Sequence, residues 1–140
     1  MRHVDTVTAE LELDLVVPGG PSLPVVASLS YHSADPWAVR VAFHTGGPGD
    51  GVVEWMFARQ LLTDGLAGPV GDGDIRIWPA LHGSDRVINL AMASPSGAEL
   101  FELERAALVQ FVERTYQVVP AGREGEVVDF DAELAVLLAA

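Results

Sequence analysis

The sequence predicts an α+β fold: two pseudo-repeated antiparallel β-sheets with packed helices, within a single domain. Three observations carry that prediction. Long stretches alternate apolar and polar side chains at the two-residue period of a half-buried strand. Two stretches, Ala58–Leu66 and Arg105–Tyr116, switch to helical spacing. The strand-to-helix unit at Val53–Leu66 is also echoed at Glu99–Leu108, where a strand again runs into an arginine with leucines behind it. A hinge near Gly68-Pro69 then separates halves of about 1–67 and 68–120 within one domain spanning 1–140.

Taken in order, Asp5–Val17 alternates cleanly, with Val7, Ala9, Leu11, Leu13 and Leu15 on one face and Thr6, Thr8, Glu10, Glu12 and Asp14 on the other. Pro18-Gly19-Gly20-Pro21-Ser22 turns the chain, because this run cannot continue a ladder. Leu23–His32 is a second strand with Leu23, Val25, Ala27, Leu29 and Tyr31 toward the core. Ser33-Ala34-Asp35-Pro36 turns into a third strand, Trp37–Thr45, and Gly46–Gly51 closes a hairpin. In the fourth strand Val53, Trp55 and Phe57 point one way, Glu54 and Met56 the other. The helix that follows presses Leu61, Leu62 and Leu66 on the sheet with Phe57, and Gly65 stops it by accepting positive φ.

Gly71-Asp72-Gly73-Asp74 enters a fifth strand at Asp74–Trp78. The sixth, Arg86–Ala93, is apolar on both faces, so it must be covered twice, by its own chain or by another subunit. Ser94-Pro95-Ser96-Gly97 turns into the seventh, Ala98–Leu103. The helix at Arg105–Tyr116 carries Leu108, Phe111, Val112 and Thr115 on one stripe, and Pro120 bars its continuation. Residues 121–126 read as a polar connector. A short helix at about 129–138, with Phe130, Leu134, Leu137 and Leu138 as its sticky stripe, must dock on something.

At 140 residues the chain buries about two-thirds of its unfolded surface, enough for a self-sufficient core. It has no cysteine, which excludes disulfides, thiolate zinc sites and thiol catalysis. Acids at Asp5, Glu10, Glu12 and Asp14 interrupt any secretory apolar core, and no apolar run nears the roughly 20 residues of a membrane span. A soluble cytoplasmic protein is expected. Twenty acids against eight arginines give a net charge of −12, a field that opposes nucleic-acid backbones and anionic lipid.

Chemistry-bearing patterns are sparse. His3, His32, His44 and His82 lack helical metal spacing, although His32 and His44 can face each other across the second and third strands. The Gly46–Gly51 loop lacks the Lys-Ser/Thr of a phosphate loop and leads into a strand. Asp72 and Asp74 lack the further oxygen ligands of a calcium loop. The acids Glu10, Glu12, Asp14, Glu102 and Glu104 alternate as solvated faces do. No catalytic residue, metal or cofactor is expected. Trp37 and Trp78 flank turns beside Pro36 and Pro79, where a ring face can stay open. Core packing and partner contact both fit them, and they are the two candidate partner-binding residues.

Several segments together resemble a known family. They are Asp35-Pro36-Trp37-Ala38-Val39, Phe43-His44-Thr45-Gly46, Val53-Glu54-Trp55 with Phe57-Ala58-Arg59, and Leu61-Leu62 with Gly65-Leu66. Further along come Gly73-Asp74 with Ile75-Arg76-Ile77-Trp78-Pro79, Ser94-Pro95 with Gly97, Phe111 with Arg114-Thr115, and Val119-Pro120. The chain is similar to the SsgA-like sporulation and cell-division regulators of filamentous actinobacteria, and Ile77-Trp78-Pro79 and Phe130-Asp131 look most like the SsgB-type branch. The resemblance implies a whirly-like fold assembled as a homotrimer. It implies a non-enzymatic protein that helps position the division GTPase FtsZ at future septa, with an SsgA-type partner. The motif positions that it carries over are Asp35, Pro36, Trp55, Phe57, Arg59, Gly65, Asp74, Pro79, Arg114 and Pro120. A whirly-like single-stranded nucleic-acid binder is the alternative, and it requires the arginines to converge beside aromatic platforms.

Overall fold

The computed structural model describes residues 5–44, 51–94 and 97–127. Four strands come first: β1 (Thr6–Leu15), β2 (Leu23–His32), β3 (Ala38–His44) and β4 (Val52–Ala58), followed by helix α1 (Arg59–Gly65). Four more follow, β5 (Val70–Asp72), β6 (Ile75–His82), β7 (Asp85–Ser94) and β8 (Gly97–Glu104), and then α2 (Arg105–Val118) and the single turn α3 (Glu124–Val127). The predicted helix at 129–138 and most of the Gly46–Gly51 loop lie outside the described residues.

The strands form one continuous antiparallel sheet in the order β4-β3-β2-β1-β8-β7-β6-β5, where the sequence predicted two sheets. The join is a three-pair ladder, Leu13–Leu15 against Phe101–Leu103, continued by the Val16 N–H donating to the Leu100 carbonyl at 2.9 Å. That pairing keeps Asp14 and Glu102 together on the outer face, so both pleats agree. Alternation specifies which face a residue takes but not which strand lies beside it, so the join was not readable in advance.

The sheet curls around its core. The Phe43 ring of β3 stacks on Phe101 of β8 with centroids 5.0 Å apart, although β2 and β1 lie between those strands. The helices cover the inside of the curl. Leu108, Phe111, Val112 and Thr115 of α2 are buried, the stripe that the helical spacing predicts. Leu62 of α1 is buried with them.

Gly65 holds α1 to the sheet for a reason other than the expected one. It does not take positive φ, and α1 ends at Leu66 in right-handed geometry. A Cβ at Gly65 would instead lie 2.4 Å from Cγ2 and 2.9 Å from Cβ of the buried Ile77. Gly65→Ala is therefore expected to lower stability by about 1–3 kcal/mol through overpacking. Ile77→Ala in the same chain should recover part of that loss in a double-mutant cycle of urea melts; additive losses would show that the two sites do not meet.

Other expectations need correction. The short β5 was not predicted, because three residues are too few to show a period. Residues 124–127 form α3 within the expected connector. Leu23 is exposed at the open end of β2. His32 and His44 do not face each other: the β2–β3 register sets His44 against Val26, and His32 bonds Thr6 Oγ1 at 3.0 Å across β1. On β7, the predicted sixth strand, Val87 is already 5 % exposed within this chain, in register between Ala80 and Glu104. Its burial needs no sister subunit.

Candidate functional site

The residues that the sequence singles out converge most closely on Arg59. This side chain is the first of α1, and a cation there opposes its own helix dipole. It serves another helix instead. The last carbonyls of a helix have no partner within it. Arg59 Nη1 donates to the carbonyl of Val119, just past the end of α2, at 2.8 Å, and to that of Thr115 at 3.1 Å, which also accepts the Val119 N–H at 3.0 Å. Nη2 donates to Glu124 Oε1 at 2.9 Å. The guanidinium lies 4.0 Å from the Tyr116 ring centroid and 4.9 Å from that of Tyr31. Arg59 is 2 % exposed, so this cation is buried, and two carbonyls, a carboxylate and two rings compensate it.

The surrounding bonds lock the junction. The Arg59 N–H donates to the Trp37 carbonyl at 2.8 Å, and the Tyr31 hydroxyl donates to the Pro36 carbonyl at 2.9 Å. Thr63 Oγ1 donates to the Arg59 carbonyl at 3.1 Å and shares a 2.6 Å hydrogen bond with the Tyr116 hydroxyl. Burial pushes the Tyr31 phenol up to about 12 against the opposing pull of Arg59. The Glu124 carboxyl is held below its ordinary 4.5, chiefly by a bond from its own backbone N–H and then by Arg59.

A depressed folded value stabilises the native state above the ordinary value and loses that effect as pH falls through the folded one. Glu124→Gln is therefore expected to be less stable than the parent at pH 7 and to converge with it well below pH 4.5. Urea melts at pH 7 and pH 3 check this. A gap of the same size at both would assign the effect to packing, not charge.

Four of the motif segments meet here: the Asp35-Pro36-Trp37 turn, Phe57 leading into Arg59, Arg114-Thr115, and Val119-Pro120. The Asp35 carbonyl accepts the Ala38 N–H at 3.3 Å, Phe57 is buried, and the Pro120 carbonyl accepts the Arg123 N–H at 3.0 Å. Arg114 Nη1 donates to the Thr8 carbonyl at 3.0 Å, tying α2 to β1. Trp55 stacks beside Phe57 with centroids 6.5 Å apart. Asp74, Trp78 and Pro79 are not part of this junction. Trp78 and Pro79 lie on β6 and are partly buried, and the Asp74 carbonyl caps the ladder by accepting the Ala93 N–H at 2.9 Å. Trp37 is 48 % exposed beside the junction. Sequence reasoning missed Tyr31, Tyr116 and Glu124, which reach Arg59 from far along the chain. The one readable signal was a cation at the wrong end of a helix.

The junction ties the start of α1 to the end of α2 and to β2 through carbonyls, a carboxylate and two rings. Among the described residues no cluster of three or more His, Asp or Glu side chains is placed to hold a metal. No helix there is long and apolar enough to cross a membrane. Nor do the arginines among the described residues converge. Arg59 is buried, Arg40 and Arg76 sit on β3 and β6, and Arg86 and Arg105 share a trough with Glu10, Glu12, Asp14, Asp85, Glu102 and Glu104. That trough is acidic.

A family model described as Streptomyces sporulation and cell division protein, SsgA, matches residues 25–124. A sporulation-specific cell division protein SsgB of Frankia casuarinae is 51 % identical over 138 residues, 99 % of this chain and 94 % of that one. A crystal structure of an SsgA-like sporulation-specific cell division protein from Thermobifida fusca superposes with a TM-score of 0.85 at 46 % identity, covering 94 % of each chain. A second solved structure, from work on SsgB mutations that correlate to longitudinal cell division during sporulation of Streptomyces coelicolor, superposes with a TM-score of 0.84 at 45 % identity, covering 91 % of this chain and 98 % of that one.

Proposed function

This chain belongs to the SsgA family of sporulation and cell division proteins, and from that premise we propose that it is a non-enzymatic regulator of sporulation-specific division. It acts by recruiting or positioning FtsZ at septum sites through protein–protein contacts, in the cytoplasm and with an SsgA-type partner. The observation that carries this reading is similarity to SsgB proteins along almost the whole chain. A net charge of −12 and an acidic trough support a protein partner over nucleic acid.

Assembly as a homotrimer and a whirly-like, pseudo-repeated fold belong to the same proposal. Four strands and a helix occur in that order twice, which is what motivates the repeat. Trp37 and Trp78 are the proposed partner contacts, with Trp37 the more open.

Sedimentation of the purified chain with and without FtsZ tests the reading. A trimer whose mass rises with FtsZ supports it, together with weakened association for Trp37→Ala or Trp78→Ala. No association and no effect on FtsZ polymers would remove recruitment, and a monomer would remove the trimer.

A further inference from the structure

β4 ends the sheet, and among the described residues nothing pairs with its outer side. Arg59 N–H bonds the Trp37 carbonyl, so by alternation Phe57, Trp55 and Val53 also turn their backbone groups toward β3. The N–H and C=O groups of Val52, Glu54 and Met56 therefore face outward. The opposite edge, β5, is only three residues long.

Edge strands normally carry charges (lysine above all), a proline or a bulge that discourage pairing. β4 has no lysine, proline or bulge, and its register with β3 runs unbroken from Ala38–Ala58 to His44–Val52. It is also apolar on both faces, with Val52 46 %, Val53 48 % and Met56 55 % exposed. The single charge along it is Glu54. In register behind Glu54 run Ala42, Ser28 and Glu10, which together with Arg40 line a depression of about 570 Å³ on the outer face, two acids to one base.

We propose that the β4 edge is a docking site for an extended, basic–apolar segment of a protein partner, added as a ninth strand. Backbone groups of Val52, Glu54 and Met56 supply the ladder. A lysine or arginine opposite Glu54 lies on the outer face. The residues on either side of it point inward and extend the apolar layer over Val53 and Trp55. Local charge selects this occupant over the same edge of a second copy, since two β4 strands paired about the middle of their outward groups would set Glu54 against Glu54. The proposal deepens the recruiting role and rests on it, but its assay does not depend on which division protein is recruited.

The probe is a fluorescein-labelled eight-residue peptide of alternating valine and lysine, measured by fluorescence anisotropy with the full chain. A valine–glutamate peptide is its counterpart. The basic peptide is expected to bind, and more weakly as salt is raised. Glu54→Lys should weaken it about tenfold and bring in the acidic peptide. Met56→Pro removes an outward N–H that β3 does not use and should also weaken binding; Glu113→Gln on α2 should not. Equal affinity of the parent and the Glu54→Lys chain, or binding of neither peptide by the parent, overturns the proposal. So does an oligomer that Met56→Pro dissolves, which would make a second copy the occupant, or basic-peptide binding that appears only after residues 128–140 are deleted. Loss of FtsZ association in the sedimentation test with the peptide result intact would remove the recruiting role and leave the edge site standing.

Discussion

Replacing Arg59 by methionine is expected to lower folding stability by about 3–5 kcal/mol in denaturant melts. Methionine keeps the apolar stem and most of the volume, so the loss reports bonds and charge rather than a void. The Val119 carbonyl loses its guanidinium donor, the Thr115 carbonyl is left with the Val119 N–H alone, and the Glu124 carboxylate loses its charged partner. Buried ion pairs can sometimes be exchanged for hydrophobic residues without loss, but only when both partners go. Here two of the partners are backbone and cannot be removed. Arg59→Met with Glu124→Gln should therefore recover only the carboxylate's share. Arg59→Lys should lose about 1–3 kcal/mol, since one ammonium cannot reproduce the planar fork that reaches carbonyls and carboxylate at once. A loss under about 1 kcal/mol for the methionine variant would mean that water replaces the guanidinium at the helix end.

Much of this architecture can be read from alternation. The core faces of β1, β2 and β3 and the buried stripe of α2 follow from spacing alone, because each is a local, periodic property. What stayed hidden is what depends on neighbours. One sheet instead of two rests on three residue pairs between β1 and β8, strands far apart in the chain. Gly65 was legible as a necessary glycine, but sequence cannot distinguish a backbone that needs positive φ from one that needs room for Ile77. The junction was half legible. Four motif segments name its parts, yet Tyr31 and Glu124 lie 28 and 65 residues from Arg59, so only folding joins them. That β4 ends the sheet among the described residues was equally invisible, since alternation assigns faces and leaves neighbours open.

The second large effect tests how rigidly the curled sheet holds its interior. Leu108→Ala is expected to lower stability by about 3–5 kcal/mol, the upper part of the range for such truncations. Leu108 sits in the first turns of α2 and lines an apolar cavity of about 30 Å³. The other walls come from Leu13, Leu29, Phe43, Phe57, Ile77 and Ile88 among others, spread over both halves of the sheet. Apart from Leu62 of α1, these other wall residues are fixed by their cross-strand ladders, so truncation enlarges a void that its neighbours are poorly placed to fill. The penalty grows by about 24 cal/mol for each Å³ that stays empty. The lining is wholly apolar, so water entering the space would find no partners. Leu81→Ala, at an exposed position on β6, supplies the control and should stay within about 0.5 kcal/mol of the parent. A Leu108→Ala loss under about 2 kcal/mol would show that the sheet collapses onto the gap, and that the curl is softer than its ladders and the Phe43–Phe101 stack imply.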